Sequence, residues 1–157
     1  MNNKDVMKLA IKEAEKTMNK DMGGPFGAAI VKDDKVIAVS SNTVLADHDP
    51  TAHAEINAIR KAGEKLKTHD LSGCKLYATG YPCPMCLSAI IWSNIKSVYY
   101  ANTKEDAASI GFRDDLIYNY ILNGSKDDNI LKLESMSREE AIKVFDEYNS
   151  NKDKIIY

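Results

Sequence analysis

The sequence predicts an α/β domain with helices packed on the faces of a mixed sheet. Three observations carry that expectation. An amphipathic N-terminal stretch is followed by two short apolar runs around a polar turn, which reads as a helix and then a hairpin. Beyond the hairpin, helical and strand-like stretches alternate, as parallel strands joined by crossover helices require. At 157 residues and 44% hydrophobic, the chain is sized for one domain with a sizeable core.

Taken in order, residues 4–20 carry Met7, Ala10, Ile11, Ala14 and Met18 on one helical stripe. Gly23, Gly24 and Gly27 around Phe26 mark close backbone approach. Phe26 is either a core aromatic or a wall of a pocket, and the density of glycine around it favours the wall. Residues 28–31 and 36–39 are strands joined by Asp33-Asp34-Lys35. Asn42 follows the second strand, either as a turn residue or as an amide turned toward a ligand. Asp49 or Thr51 is placed to cap a helix over residues 52–65. Residues 75–79 form the third strand, and residues 84–93 a helix apolar nearly all round and hence buried. Residues 98–101 form the fourth strand. Residues 104–109 and 115–122 read as helices, and residues 130–133 as a short strand. Ser137 with Glu140 spells a capping box for a last helix ending near Tyr148. The apolar end Ile155-Ile156-Tyr157 after a polar stretch is expected to dock, on this subunit or a neighbour.

Charge narrows the function. Net charge is −2, and residues 101–157 hold 8 basic against 12 acidic side chains. A polynucleotide-binding enzyme ordinarily shows a basic patch, so a small neutral substrate is favoured over nucleic acid. No apolar run approaches a membrane span, and no signal peptide is visible. Three cysteines, two of them in one motif, fit the reducing cytoplasm.

Two short pieces carry the chemistry. His53-Ala54-Glu55 is followed about 30 residues later by Pro82-Cys83-Pro84-Met85-Cys86, the pattern of zinc-dependent nucleobase deaminases. His53, Cys83 and Cys86 supply one nitrogen and two sulfurs, and a catalytic zinc leaves the fourth corner to water or hydroxide. Glu55 is the proton carrier beside that water. Pro84 suits a first helical turn, whose free amides favour thiolates. A structural zinc site would need a fourth protein ligand, and Cys74, His48 and His69 lack ligand spacing to any partner. A redox Cys-x-x-Cys would leave His53 and Glu55 unexplained.

These motifs place the chain close to a known group. With Gly23–Ala28, residues 49–55 and 82–87, residues 111–118 and the terminal Tyr157, it resembles the cytidine deaminase-like superfamily, and within it the small bacterial guanine deaminases. The resemblance implies a three-layer α/β/α sandwich around a five-stranded mixed sheet, the fifth strand being the Ile130 region. It implies one Zn2+ per subunit and a homodimer whose C-terminal segment, residues 145–157, can cover its own or its partner's site. It implies that Asn42 and the Ala54 amide hold a nucleobase and that Phe26 walls the pocket. Asp114 would touch the purine edge or assist proton transfer, and Tyr157 would close the site. The reaction implied is guanine to xanthine and ammonia. Residue 81 is Tyr where that group commonly has Glu, and Gly80 is small, so the pocket mouth departs from the pattern. Another small amidine ring, a tRNA adenosine, or a zinc-stabilised module without turnover are the competing functions.

Overall fold

A computed structural model describes all 157 residues. The chain divides into two compact units, Met1–Asp115 and Leu116–Tyr157.

In the first unit, helix α1 (Asn3–Met18) opens on Asn2, whose side chain accepts the Asp5 N–H. Strands β1 (Gly27–Lys32) and β2 (Lys35–Ser41) form the expected hairpin. Asp33 and Asp34 both take positive φ at its tip, as the tight turns that match strand twist require. A short helix, α2 (Val44–Asp47), occupies what reads as loop in the sequence. Helix α3 (Ala54–Leu66), strand β3 (Lys75–Gly80), helix α4 (Pro84–Trp92) and strand β4 (Ser97–Asn102) follow, then helix α5 (Lys104–Ser109).

The sheet order is β2-β1-β3-β4, antiparallel at β1/β2 and β1/β3 and parallel at β3/β4. Alternation along the strands sorts the core into two faces. Ala29, Val31 and Tyr77 pack on Val6 and Ala10 of α1. Ala28, Ile30, Leu76 and Ala78 pack on Ala54, Ala58 and Ala62 of α3 and Ile90 of α4. Small residues on α3 bring that helix close to the sheet. Gly27 does the same for α1, because a Cβ there would fall 1.9 Å from the Ala10 carbonyl oxygen.

The second unit holds most of helix α6 (Asp115–Leu122), helix α7 (Arg138–Ser150) and the C-terminal residues. No helix in the protein is long and apolar enough to cross a membrane.

Four expectations are corrected. The sheet has four strands, not five. Residues 130–133 form none, because the Ile130 and Leu131 amides turn back onto the Asp127 carbonyl and the Leu131 carbonyl takes the Tyr120 hydroxyl. The Ser137 capping box does not form, since Ser137 is left-handed at φ 53; one does form unannounced at Thr103 and Asp106. Neither Asp49 nor Thr51 caps α3. Asp49 instead accepts from the Thr51 backbone and hydroxyl, and those bonds, then Arg60, hold its pKa below the usual value. Finally α4 is buried only on the side of Pro84, Cys86 and Ile90, while Ile91 and Trp92 are 68% and 73% exposed.

Candidate metal and active site

The site is assembled by two helix starts. His53 is the N-cap of α3 and Cys83 the N-cap of α4, both extended in backbone, and neither spends its side chain on capping. Pro84 sits in the first turn of α4, where a missing N–H costs nothing. Cys86 lies one turn in, fully buried. The three side chains converge. The His53 Nδ1 stands 3.5 Å from the Cys83 Sγ and 3.6 Å from the Cys86 Sγ, and the three donor atoms all lie within 4.8 Å of one another.

That spacing suits zinc. Tetrahedral bonds of about 2.0 Å to nitrogen and 2.3 Å to sulfur separate the donor atoms by about 3.5 Å. No fourth protein ligand joins them: the only cluster of metal-ligating type is His53, Cys83 and Cys86. Cys74 packs in the core, where burial raises its pKa, and His48 is the left-handed end of α2.

The electrostatics are those of a crowded anion site. Cys83 is drawn down to about 4, first by the hydrogen bond from Cys86 and then by that from His53. Cys86 is pushed up by the same partnership and by burial. His53 is raised, chiefly by its bond to Cys83. Glu55 is 8% exposed and accepts from the Cys86 Sγ at 3.5 Å; burial, then the Cys83 charge, raises its pKa.

His53, Glu55 and Cys83 line a cavity of about 340 Å³. Phe26 is a wall, set edge-on to Phe112 with ring centroids 4.9 Å apart. Glycines make room for it: a Cβ on Gly24 would meet Phe26 at 3.1 Å and one on Gly80 would meet it at 3.2 Å. Asn42 and Asp114 also line the cavity. Asp114 is raised by burial and by Cys83, against the pull of His53 and Lys104. Ala54 is buried in the first turn of α3, where amides lack a carbonyl partner within the helix. Tyr157 ends the second unit with its side chain 84% exposed.

Sequence reasoning missed Phe112, Val44, Leu45 and Pro50 as lining residues. It also missed that Tyr81, at the mouth, carries Lys104 Nζ 4.6 Å above its ring and meets Tyr100 edge-on. Phe112 and Pro50 had a signal, lying in the stretches 111–118 and 49–55 that carry the resemblance; Val44 and Leu45 had none.

Residues 1–102 match the zinc-binding region of cytidine and deoxycytidylate deaminases. The chain belongs to this deaminase family. Membership makes it a zinc-dependent hydrolytic deaminase, with His53, Cys83 and Cys86 as the candidate zinc site. Among relatives, the deaminase is 49% identical over 121 residues to the guanine deaminase of Bacillus subtilis, covering 77% of this chain and 78% of that one. It is 42% identical over 95 residues to the tRNA-specific adenosine deaminase of Aquifex aeolicus, covering 60% and 62%. The X-ray structure of the Bacillus subtilis guanine deaminase superposes with a TM-score of 0.92 at 40% identity, covering 100% of this chain and 99% of that one.

Proposed function

We propose that this chain hydrolyses the exocyclic amine of a free purine base, converting guanine and water to xanthine and ammonia. The observation that carries the reading is the likeness over the whole chain to a guanine deaminase structure at a TM-score of 0.92, where a solved tRNA:A34 deaminase covers 64% of this chain at 0.62. The enclosing aromatic cavity and net charge of −2 agree with a small neutral substrate.

His53, Cys83 and Cys86 would hold the metal. When bound there, zinc supplies the Lewis acidity that lets a water ionise near neutral pH. Glu55 takes the proton of the attacking water as oxygen bonds to C2 of the base. It passes that proton to the adjacent ring nitrogen, then carries the remaining hydroxyl proton to the amine, which leaves as ammonia as the C2–N bond breaks and the C2 carbonyl forms. A carboxyl whose pKa burial has raised suits both halves of that transfer. Asn42 and the Ala54 amide hold the base edge, Phe26 and Phe112 confine its faces, and Asp114 contacts the purine edge or relays a proton.

The working unit we propose is a single deaminase domain over residues 1–157, in the three-layer α/β/α form, supported by α1 on one sheet face and α3 with α4 on the other. It is a cytoplasmic homodimer, to which the exposed Ile91 and Trp92 of α4 lend an apolar face. Three unpaired cysteines agree with a reducing compartment. Residues 145–157 act as a cover over the site of their own or the partner subunit, with Tyr157 at its tip.

A screen of ammonia release from guanine, cytosine, adenine, guanosine, cytidine and ammeline tests the substrate. Guanine is expected to lead; turnover confined to another ring would replace it.

A further inference from the structure

Asn57 takes no part in the chemistry above, yet it ties together the pieces that do. It is half-buried on α3, two residues beyond Glu55. Its Nδ2 donates to the Ser41 carbonyl at 3.0 Å and the Thr43 hydroxyl at 2.9 Å, with the Ala52 carbonyl also in reach at 3.3 Å. Ser41 and Thr43 flank Asn42. Ala52 precedes His53, and its carbonyl also accepts the Thr43 N–H at 3.0 Å.

Asn42 is fixed within its own turn. Its Oδ1 accepts the Val44 N–H at 3.1 Å. Backbone packs closely against one side of it, since a Cβ on Gly23 would fall 2.2 Å from that same oxygen. Nothing in those contacts sets the distance from the turn to α3. Asn57 does that, and it does so from behind. Asn42 and Val44 face the active cavity, whereas Ser41, Thr43 and Asn57 face a second, polar cavity of about 350 Å³. The turn is thus a one-residue wall; the Thr43 N–H ties it to the Ala52 carbonyl just before α3, and the Asn57 amide is the side chain of α3 itself that pins its back.

We propose that Asn57 is a positioning residue, which sets Asn42 at the working distance from His53 and Glu55. The proposal rests on the reading that Asn42 holds the base. A misplacement of about 1 Å in a positioned group costs on the order of a hundredfold in rate or binding, so a tether on the wall matters to substrate more than to the fold.

The test is Asn57→Asp, which keeps the shape and removes both N–H donors, compared with wild type, Asn42→Ala and the double variant. Amide exchange at Thr43 and Val44 is expected to rise about tenfold, with β1 and β3 unchanged. Zinc content is expected to hold, KM for guanine to rise about tenfold, and kcat to stay within about threefold. On the Asn42→Ala background, Asn57→Asp is expected to change KM by less than about twofold, because the residue acts through Asn42. Multiplicative effects on KM overturn the proposal, as does unchanged exchange at residues 43–44. So does a general rise in exchange with parallel loss of zinc, which would make Asn57 an ordinary fold residue. The exchange measurement needs no substrate. If wild type releases no ammonia from guanine, the functional reading falls while exchange still decides this one.

Discussion

His53 and Cys83 hold the same place on two different helices, and their side chains meet with Nδ1 3.5 Å from Sγ. Each is the last extended residue before its helix begins. The metal site therefore depends on how α3 and α4 pack at their starts, and a bound ion would in turn pin those starts together. A ligand that binds only the folded state stabilises it in proportion to RT ln(1 + [L]/Kd). Chelation is expected to lower Tm and abolish ammonia release, with zinc restoring both. Cys83→Ala is expected to lose zinc outright; a variant that keeps stoichiometric zinc would remove Cys83 from the site.

Glu55→Gln should separate chemistry from binding. Turnover is expected to fall by about 10²–10⁴-fold, the usual span for a general acid–base group, with zinc retained. The same substitution carries a pH signature in chelated protein. The Glu55 pKa is raised in the fold, mainly by burial, so its stability contribution is lost as pH rises from the ordinary carboxylate value through the folded one. Glu55→Gln is therefore expected to raise Tm at pH 8 and leave it nearly unchanged at pH 4. A gain that is equal at both pH values would show that the buried charge is not the cause.

Gly27→Ala tests how α1 sits on the sheet. The added Cβ would lie 1.9 Å from the Ala10 carbonyl oxygen, and the Gly27 N–H donates to the Thr79 hydroxyl. Backbone must move, at a cost of about 1–3 kcal/mol. A measurable fall in Tm is expected in thermal unfolding, with zinc content unchanged; a silent substitution would mean that α1 shifts freely.

Removing residues 155–157 tests the proposed cover. Turnover is expected to drop several-fold while zinc content holds, since no proposed ligand lies there. A truncated protein as active as the full chain would end the cover idea.

The candidate zinc cluster and the place of Glu55 beside it were legible because that chemistry needs those residue types at short range. His53 and Glu55 are two apart, and Cys83 and Cys86 are one helical turn apart. The strands were legible as apolar runs with turn residues at their ends, and Asp33-Asp34 announced its own turn. What failed needed the third dimension. α4 is apolar nearly all round, yet Ile91 and Trp92 face outward, because composition cannot say how many sides of a helix find neighbours. Ser137 has the residues of a cap but not the backbone. The apolar alternation at 130–133 is too short to outweigh a turn centred on Asp127. Asn57 was invisible because its three acceptors come from a segment folded back across the sequence, and a lone Asn on a helix carries no pattern.

The Phe26 ring lies so near Gly24 and Gly80 that an added Cβ would crowd it at 3.1 and 3.2 Å, with Phe112 crowded at 3.0 Å by the first, so the shape of the chamber is partly set by atoms that are missing. An engineer wishing to admit a bulkier ring would gain little by trimming Phe26 alone, because Phe112 leans on it and could follow it inward. Redirecting this enzyme toward a new heterocycle therefore means rebuilding two glycines and two phenylalanines as one unit.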